Sequence, residues 1–378
     1  MTDSSFSRRS QRASHQNGRG KHPLKLGRSR PLTLAAALLG ASALAACGGS
    51  SSGSANKGTA ENAPASNAGF AEVKAVTPST KGLSNFTLRV GDQAATGAQA
   101  LLEAAGLDHF PFKITFADFT SGPPIMQAEA AGSVDIGGVG NTPPVFAAAG
   151  GDQVAVIAAY KNNPDSSALL VPKGSTITSI EQLKGKSVAV AEGSSGDYHL
   201  LTVLDKAGLK RSDITVDNVQ PPVGLAAFQS GKVDAWDIWA PFVQQAEVEY
   251  GARALVTGDG YGSDYSFQVA TKAALQNPVA VAAIDDYLKA LAKARIWVNS
   301  HPQVWAKTWA QATGLPQSVT IAAAKDTSQT PIPVSAATVS SEQQLVDAFY
   351  GSGEIPSRVN FAQYSSTSFN DVWAGGQR

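Results

Sequence analysis

Three short loops rich in glycine and hydroxyl residues are the positions in this sequence best suited to bind an anion. They span residues 91–96, 137–142 and 193–197, and each lies between a segment that predicts a β-strand and one that predicts a helix. The first backbone N–H groups of a helix have no partner within the helix. Together with the positive end of the helix dipole, these groups favour an oxyanion. The loops therefore predict a binding site for a small anionic molecule.

A Ser–His–Asp catalytic site would have to combine Ser195, His199 and Asp197. Residues two positions apart on a helix do not share a face, so Asp197 is poorly placed to orient His199. The run at residues 193–196 also lacks the spacing of a Gly-x-Ser-x-Gly nucleophile turn. We therefore expect no catalytic residue here.

Metal and thiol chemistry are also poorly supported. Cys47 is the only cysteine, and the two other histidines after residue 46, His109 and His301, are isolated from each other. Scattered ligands of this kind do not form a zinc site, and we expect neither a metal nor a cofactor.

The N-terminus has the three parts of a secretory signal, which are a basic region, an apolar run and a small-residue end. The apolar run from Leu32 to Ala46 is shorter than the roughly 20 residues that span a bilayer. The segment Leu44-Ala45-Ala46-Cys47 resembles a bacterial lipobox, which implies diacylglycerol on the Cys47 sulfur. We expect residues 1–46 to be a lipoprotein signal peptide, while the pair Arg8-Arg9 leaves open whether export is general secretory or twin-arginine.

The segment after Cys47 is predicted to be a flexible tether, over residues 47–84, because Ser, Gly, Ala and Asn dominate it. Removing residues 1–46 takes eight basic residues and one acidic residue from 30 of each, which leaves a net charge of −7. An acidic protein of this kind is not suited to nucleic acid.

From residue 86 onward, predicted strands and helices alternate, which indicates an α/β architecture with mainly parallel sheets. A weak repeat supports two lobes: Pro123-Pro124 leads to Asp135, and Pro221-Pro222 leads to Asp234 at a similar spacing. The repeat could also be a coincidence of common helix-stop-strand signals. We expect a first lobe to begin at residues 85–172, a second lobe at 173–258, and residues 259–378 to return through a hinge, complete the first lobe and end in helices.

Several segments together resemble the substrate-binding proteins of aliphatic sulfonate ABC importers. This resemblance covers about residues 85–300 and implies a type II periplasmic-binding-protein fold, with two α/β lobes that close on a ligand. The segments that carry it are Phe119-Thr120-Ser121-Gly122-Pro123, residues 132–137, residues 140–146, residues 180–190 and residues 233–242.

The resemblance also implies which residues bind the ligand. Hydrogen bonds to an acidic headgroup would come from the loops, and Trp239, with Tyr198, would cover the organic tail. The ligand-binding residues implied in this way are Gln93, Gly140, Asn141, Thr142, Gly193, Ser194, Ser195, Tyr198 and Trp239.

Three carboxylates depart from the family pattern. Asp92 stands where tyrosine is usual, Asp197 where histidine is common, and Asp237 is an added carboxylate next to a Trp-Asp-Pro motif in which Ala240 replaces the aspartate. Asp197 could simply cap a helix and Asp92 could lie on the surface. If they instead line the cleft, they would favour a ligand with a cationic or hydroxyl-bearing end.

The expected function is a solute receptor, exported and lipid-anchored at the outer face of the membrane or in the periplasm, and monomeric. It would deliver a small anionic organic solute, an aliphatic sulfonate, to an ABC permease and its ATPase. A taurine-like zwitterion, a sulfate ester, nitrate or an aromatic carboxylate are alternative solutes. A hydrolase or a desulfinase on the same fold is the alternative from another class, but desulfinases of this fold rely on a cysteine that this chain lacks.

Overall fold

The computed structural model describes residues 72–374, apart from residues 96, 263 and 264. Within this part, strands and helices alternate and form two β-sheets with helices packed against them, which confirms the predicted α/β class. The prediction of mainly parallel sheets is wrong, because both sheets combine parallel and antiparallel strand pairs. The predicted signal peptide, Cys47 and most of the predicted tether lie outside the described residues.

The strands are β1 (Thr87–Gln93), β2 (Lys113–Phe119), β3 (Ile136–Gly140), β4 (Val154–Asn162), β5 (Ser167–Val171), β6 (Ser187–Val190), β7 (Thr215–Asn218), β8 (Ala235–Trp239), β9 (Arg253–Thr257), β10 (Tyr265–Thr271) and β11 (Gln329–Ile332). The α-helices are α1 (Ala98–Ala105), α2 (Gly122–Ala130), α3 (Thr142–Gly150), α4 (Ser195–Lys206), α5 (Pro221–Gln229), α6 (Phe242–Tyr250), α7 (Lys272–Leu275), α8 (Pro278–Ser300), α9 (Pro302–Thr313), α10 (Gln317–Asp326), α11 (Ala336–Ser352) and α12 (Asn370–Trp373).

The first sheet has the strand order β11-β4-β10-β3-β1-β2. β1 runs parallel to β2 and β3, whereas β10 is antiparallel to β3 and β4. Two separate apolar clusters pack against this sheet, one built with α1, α8 and α9 and the other with α2, α3 and α11. Burial by helices explains why its central strands are rich in apolar and small residues.

The second sheet has the strand order β7-β6-β8-β5-β9. β6 is parallel to β7 and β8, and β5 is antiparallel to β8 and β9. Leu200 and Leu204 of α4 pack in one apolar cluster, while Phe228 of α5 and Val243 of α6 pack in another. Each sheet therefore has its own core.

The chain passes between the sheets twice, and these crossings divide it into two lobes. Lobe 1 contains the first sheet, from residues 72–162 and 265–374, and lobe 2 contains the second sheet, from residues 167–257. The first crossing lies between β4 and β5, and the second lies between β9 and β10. Because β5 belongs to lobe 2, lobe 1 is left before residue 167, whereas the sequence placed this boundary after residue 172. Periodicity cannot reveal this, because a buried strand has the same pattern in either sheet.

The two aspartates of the sequence repeat occupy matching positions in the two lobes. In lobe 1, Asp135 precedes β3, and its Oδ2 accepts the backbone N–H of Arg89 in β1 at 2.9 Å. In lobe 2, Asp234 precedes β8, and its Oδ2 accepts the backbone N–H of Ser187 in β6 at 2.9 Å. Each aspartate therefore fixes the start of one parallel strand against its neighbour, which favours duplicated architecture over coincidence.

The longest described helix, α8, lies against the first sheet with Ile284, Leu288 and Leu291 buried, at the helical spacing that the sequence showed. Among the described residues, no helix is both long enough and apolar enough to cross a membrane.

The C-terminal segment adds to the core of lobe 1. β11 pairs with β4 as an edge strand of the first sheet. Trp373 of α12 is fully buried, its indole N–H donates to the carbonyl of Ala159 at 2.6 Å, and its ring packs edge-on against Tyr160. The C-terminal segment is therefore part of the sheet and of the core of lobe 1.

A glycine to alanine pair tests the packing beneath the first sheet. A Cβ at Gly137 would lie 2.3 Å from Cγ2 of Ile125, in the buried face between β3 and α2. We expect Gly137→Ala to lower the free energy of unfolding by about 1–3 kcal/mol, because overpacking strains a filled core. The control is Gly150→Ala in α3, where a Cβ meets nothing within 4 Å. Urea unfolding should show the control to be neutral or stabilised, and equal effects of the two changes would contradict this packing.

Candidate functional site

A cleft between the two lobes is lined by strand ends and helix starts from both of them. Its empty space is about 1130 Å³, part of it open to solvent. Lobe 2 contributes mainly Ser167, Ser194, Ser195, Trp239 and Ala240. Lobe 1 contributes the ends of β1 and β3, the starts of α2 and α3, and side chains of β4, β10, α8 and α9; its polar and aromatic lining residues are Asp92, Gln93, Tyr160, Asn162, Ser266, Phe267, Gln268, Arg295, Trp305, Trp309, Thr327, Ser328 and Gln329.

Three helices begin at this cleft, and in none of them does the side chain of the N-cap residue bond to the first turn. Gly122 is the first residue of α2, Pro143 the second of α3 and Ser195 the first of α4, and all three line the cleft. The N-cap residue makes no side-chain hydrogen bond to the helix in any of the three. The positive ends of three helix dipoles therefore meet in one cavity, an arrangement that attracts an anion.

The two lobes touch at the centre of the cleft, between Gly140 at the end of β3 and Ser195 at the start of α4. A Cβ at Gly140 would lie 2.9 Å from both Cβ and Oγ of Ser195. Glycine is therefore required here by close approach of the lobes.

Polar contacts between the lobes surround this point. The hydroxyls of Thr120 and Ser121 both donate to Oε1 of Gln220, at 2.8 and 2.7 Å. On another side, Nε2 of Gln244 donates to Asp326 at 3.0 Å. Such contacts can form and break as the lobes move, which suits a cleft that closes over its contents.

Aromatic side chains occupy the walls of the cleft away from the helix starts. Trp239 ends β8 on the lobe 2 side. On the lobe 1 side, Trp305 and Trp309 stack with ring centroids 5.1 Å apart, and the Trp309 indole donates to the carbonyl of Ala95 at 2.7 Å. Trp305 and Trp309 are buried in the lobe 1 core, so the partly buried ring of Trp239 is the one that can offer apolar surface to an organic tail.

Several of the residues predicted to bind ligand do line the cleft. Gln93, Gly140, Ser194, Ser195 and Trp239 are all part of its wall. Nε2 of Gln93 donates to the carbonyl of Gly138 at 3.1 Å, and the Ser194 hydroxyl donates to the carbonyl of Ala191 at 2.5 Å. Gln93, Gly140, Ser194 and Ser195 lie in the three loops that the sequence singled out, whereas Trp239 was implied by the family resemblance alone.

Other predicted ligand-binding side chains point into packed surroundings beside the cleft. Nδ2 of Asn141 donates to the carbonyl of Gly262 at 3.1 Å, and its Oδ1 accepts from the Thr142 hydroxyl at 3.1 Å. Both residues are buried. The Asn141 side chain thus ties the start of α3 to Gly262, between β9 and β10. These hydrogen bonds within the protein occupy the side-chain groups that the sequence predicted to bind the headgroup.

Tyr198 and Gly193 lie where apolar surfaces of the lobes meet. The Tyr198 ring packs 5.8 Å from the ring of Phe349 in α11, and a Cβ at Gly193 would contact the Phe146 ring at 3.4 Å. The structure therefore places Tyr198 in an apolar contact between the lobes, which sequence spacing could not show.

Asp92 lines the cleft and is only 6% exposed, so the surface position considered from sequence is wrong for it. Its carboxylate accepts the backbone N–H groups of Gln93 at 2.9 Å and Gln99 at 3.0 Å. Burial raises the pKa of Asp92, while these hydrogen bonds and the charge of Arg295 oppose the rise.

Asp197 is fully buried inside lobe 2 and bonded to its own helix start. Its Oδ2 accepts the backbone N–H of Gly193 at 2.8 Å, and its Oδ1 pairs with the guanidinium of Arg211. Arg211 also reaches Oε2 of Glu354 in lobe 1 at 3.1 Å. The capping interpretation is therefore the one that these contacts support, with a charge network added that sequence did not indicate.

Asp237 is fully buried and pairs with His199, at 2.8 Å from Oδ2 to Nδ1. The other ring nitrogen of His199, Nε2, lies 3.2 Å from the carbonyl of Thr257. Burial raises the pKa of Asp237 to about 6, against the opposing effect of the imidazole. Because both nitrogens of His199 are engaged, it cannot act on Ser195, and Asp237 is a structural partner of the histidine.

Arg295 is a cleft residue that sequence analysis missed. It lies on α8, and its guanidinium carbon is 5.5 Å from the centre of the Tyr160 ring. A signal was present: Arg295 continues the buried stripe of Leu288 and Leu291 at helical spacing, and a charged residue on a buried stripe usually has a polar task. Among the described residues, no group of three or more potential ligands could hold a metal ion.

Comparisons with known proteins agree with this geometry. Over 280 residues, the chain is 32% identical to a protein of Escherichia coli strain K12 named for aliphatic sulfonate binding, covering 73% of this chain and 87% of the relative. Its structure resembles the alkanesulfonate-binding protein SsuA of Xanthomonas axonopodis pv. citri bound to MOPS, with a TM-score of 0.66 and 31% identity over 74% of this chain and 98% of that one. The chain belongs to the family of aliphatic sulfonate-binding proteins.

Residues 117–304 also match the family described as NMT1/THI5 like. The desulfurization enzyme DszB is similar at only 15% identity and a TM-score of 0.54, over 77% of this chain and 99% of the enzyme. That likeness shows a shared fold alone. The two-lobed architecture is therefore common to binding proteins and at least one enzyme, and the site must distinguish them.

The close approach of Gly140 and Ser195 predicts that a methyl group at Gly140 blocks closure. We expect Gly140→Ala to weaken ligand binding about tenfold, equivalent to about 1.4 kcal/mol, with little change in unfolding midpoint. Calorimetric titration measures the affinity. Ser195→Gly removes the opposing Cβ, so adding Gly140→Ala to that variant should cost much less. Equal losses in both backgrounds would contradict the proposed clash.

Proposed function

We propose that the protein is the solute-binding receptor of an ABC import system and that it captures an aliphatic sulfonate between its lobes. The observation that carries this proposal is the meeting of three uncapped helix starts from both lobes in one cleft. Pro123, Pro124, Pro143 and Pro144 have no N–H, so among the first three positions α2 and α3 offer only the N–H groups of Gly122 and Thr142, whereas α4 offers those of Ser195 and Gly196. A sulfonate presents three oxygens to such groups and carries its charge at any ordinary pH. Membership of the sulfonate-binding family supports the same solute class.

The rest of the cleft suits an organic tail. Trp239 lines the cleft from lobe 2 and is only partly buried, so an alkyl chain leaving the helix starts would contact its aromatic surface. Nitrate has no such tail, and the aromatic walls give no reason for it to be preferred. A sulfate ester shares the sulfonate headgroup geometry and stays an alternative ligand for the test below.

A taurine-like zwitterion is less favoured by the residues present. Two of the three additional carboxylates, Asp197 and Asp237, are paired with Arg211 and His199 inside lobe 2. Asp92 does reach the cleft, but Arg295 is near enough to influence its charge. None of these three carboxylates therefore offers the ammonium group of such a ligand a charge partner in the cleft that lies away from a cationic side chain.

The receptor function requires no catalytic residue, and the site supports that conclusion. The hydroxyl of Ser194 donates to a backbone carbonyl, and His199 is engaged at both nitrogens. The chain has one cysteine, Cys47, which lies in the predicted lipidation motif and outside the described residues. Desulfinase chemistry that depends on a cysteine therefore has no candidate nucleophile in the cleft.

The remaining parts of the proposal concern location and partners. A lipid on Cys47 would hold the receptor at the outer face of the membrane, and the tether between Cys47 and residue 72 would link it to the lobes. The predicted tether ends earlier than residue 84, because the backbone N–H groups of Val73 and Val76 donate to Ser365 and Leu275 and Leu83 is buried in lobe 1. The permease and its ATPase would receive the solute when the lobes open. We propose that the receptor acts as a monomer, because both walls of the cleft come from one chain.

A matched ligand panel tests the solute class. We expect butanesulfonate to raise the unfolding midpoint and pentanoate, its carboxylate counterpart, to do so far less; at 100-fold excess over Kd the stabilisation is about 2.7 kcal/mol. Trp239→Ala should weaken sulfonate binding about tenfold, whereas Trp297→Ala, in a tryptophan stacked on His301 outside the cleft, should not. Preference for the carboxylate, or release of sulfite from the bound sulfonate, would overturn the receptor proposal.

Cys47 can be tested independently of the ligand. In cells fed a labelled fatty acid, we expect the full-length protein to incorporate label and to fractionate with membranes. Cys47→Ser should lose the label and appear in the soluble fraction, because the sulfur that carries the lipid is gone. Sulfonate affinity of the purified variant should be unchanged. Membrane retention of Cys47→Ser would rule out a lipid on this residue as the anchor.

A further inference from the structure

A group of polar side chains in lobe 1 lines the cleft at a distance from the helix starts. We call Asp92, Tyr160, Gln268 and Arg295 the lobe 1 polar cluster; all four line the cleft. In the first sheet, Gln268 pairs with Gly138, two residues before Gly140 on β3. Two residues on a strand span about 6.6 Å, so the cluster begins roughly that far from the point where the lobes touch. A headgroup at the helix starts would not fill it.

The cluster contains buried polar atoms that the protein leaves unpaired. Oε1 of Gln268 and Nε of Arg295 have no hydrogen-bond partner among the described residues, and both atoms are buried. Gln268 as a whole is 2% exposed, and its Nε2 donates to the Tyr160 hydroxyl at 2.9 Å, which fixes the orientation of its amide. Buried donors and acceptors usually form a hydrogen bond, because burying a polar atom without one costs free energy. One acceptor and one donor are therefore open on two side chains that both contact Tyr160.

The charges of the cluster are balanced. Arg295 carries a positive charge next to Tyr160, and the Asp92 carboxylate is held by the backbone N–H groups of Gln93 and Gln99. A second anion on the ligand would meet Asp92, and an ammonium would meet Arg295. A group without charge that both donates and accepts a hydrogen bond fits both open atoms.

We propose that the lobe 1 polar cluster binds a hydroxyl group on the tail of the solute, and that the preferred ligands are hydroxyl-bearing alkanesulfonates. The hydroxyl donates to Oε1 of Gln268 and accepts from Nε of Arg295. The distance along β3 corresponds to a chain of about three or four carbons between sulfur and hydroxyl. This inference rests on the proposed sulfonate site, which it extends to the far end of the ligand.

The test compares ligands that differ only by the hydroxyl. Calorimetric titration of the purified protein with propanesulfonate against 3-hydroxypropanesulfonate, and with butanesulfonate against 4-hydroxybutanesulfonate, should show about tenfold tighter binding of the hydroxyl member of at least one pair. The same assay with 3-aminopropanesulfonate and 3-sulfopropanoate should show no comparable gain.

Variants of cluster residues then show which side chains cause the tighter binding of the hydroxyl ligand. Arg295→Met should abolish the preference for the hydroxyl, weakening the binding of the hydroxyl ligand about tenfold more than that of the unsubstituted sulfonate. Gln268→Met should act in the same way and serves if the first variant does not fold. The control is Lys293→Met on an exposed position of the same helix, which should keep the preference.

The results separate this inference from the proposed function. Equal affinities within every ligand pair in the unmodified protein would overturn the hydroxyl site and leave the sulfonate receptor intact. Loss of the unsubstituted sulfonate in Arg295→Met would show that Arg295 holds the headgroup, which also overturns the inference. Tighter binding of the amino or carboxyl ligand would do the same. Failure of the unmodified protein to bind any sulfonate would instead remove the proposed function.

Discussion

The first backbone N–H groups of a helix need a partner from outside the helix, and in this protein three helices start at one cavity. α2 and α3 belong to lobe 1 and α4 belongs to lobe 2, and no N-cap side chain bonds to their first turns. An anion between the lobes would satisfy donors from both at once. Binding and closure are then coupled, because the same contacts that hold the anion also hold the lobes together.

The construction of the lobes explains why the helix starts can meet. Each lobe has a parallel strand pair fixed by an aspartate, Asp135 or Asp234, and each places its loops at the carboxyl ends of those strands. Ligands of open α/β sheets bind at such ends. Two lobes facing each other bring two sets of loops together, and Gly140 permits their backbones to approach closely enough.

Sequence revealed the site through local signals and failed where partners are distant. Gln93, Ser194, Ser195 and Trp239 were implied as ligand-binding residues by the resemblance of their local motifs to the family, and all four line the cleft. The pairs of Asp197 with Arg211 and of Asp237 with His199 join residues from different elements, so their burial could not be read from spacing. Asn141 lies at the start of α3 and Tyr198 in the first turn of α4, and both contact residues far along the chain, Gly262 and Phe349, which spacing could not reveal. Arg295 was hidden because it reaches the cleft from a helix far along the chain.

The most direct test of this account is a crystal structure with a bound alkanesulfonate, in which anomalous scattering locates the sulfonate sulfur. The account predicts the sulfur beside Gly140 and Ser195, with its oxygens facing the starts of α2, α3 and α4 and its alkyl chain against Trp239. A sulfonate held by Arg295 at the opposite end of the cleft, or bound outside the cleft, would contradict it.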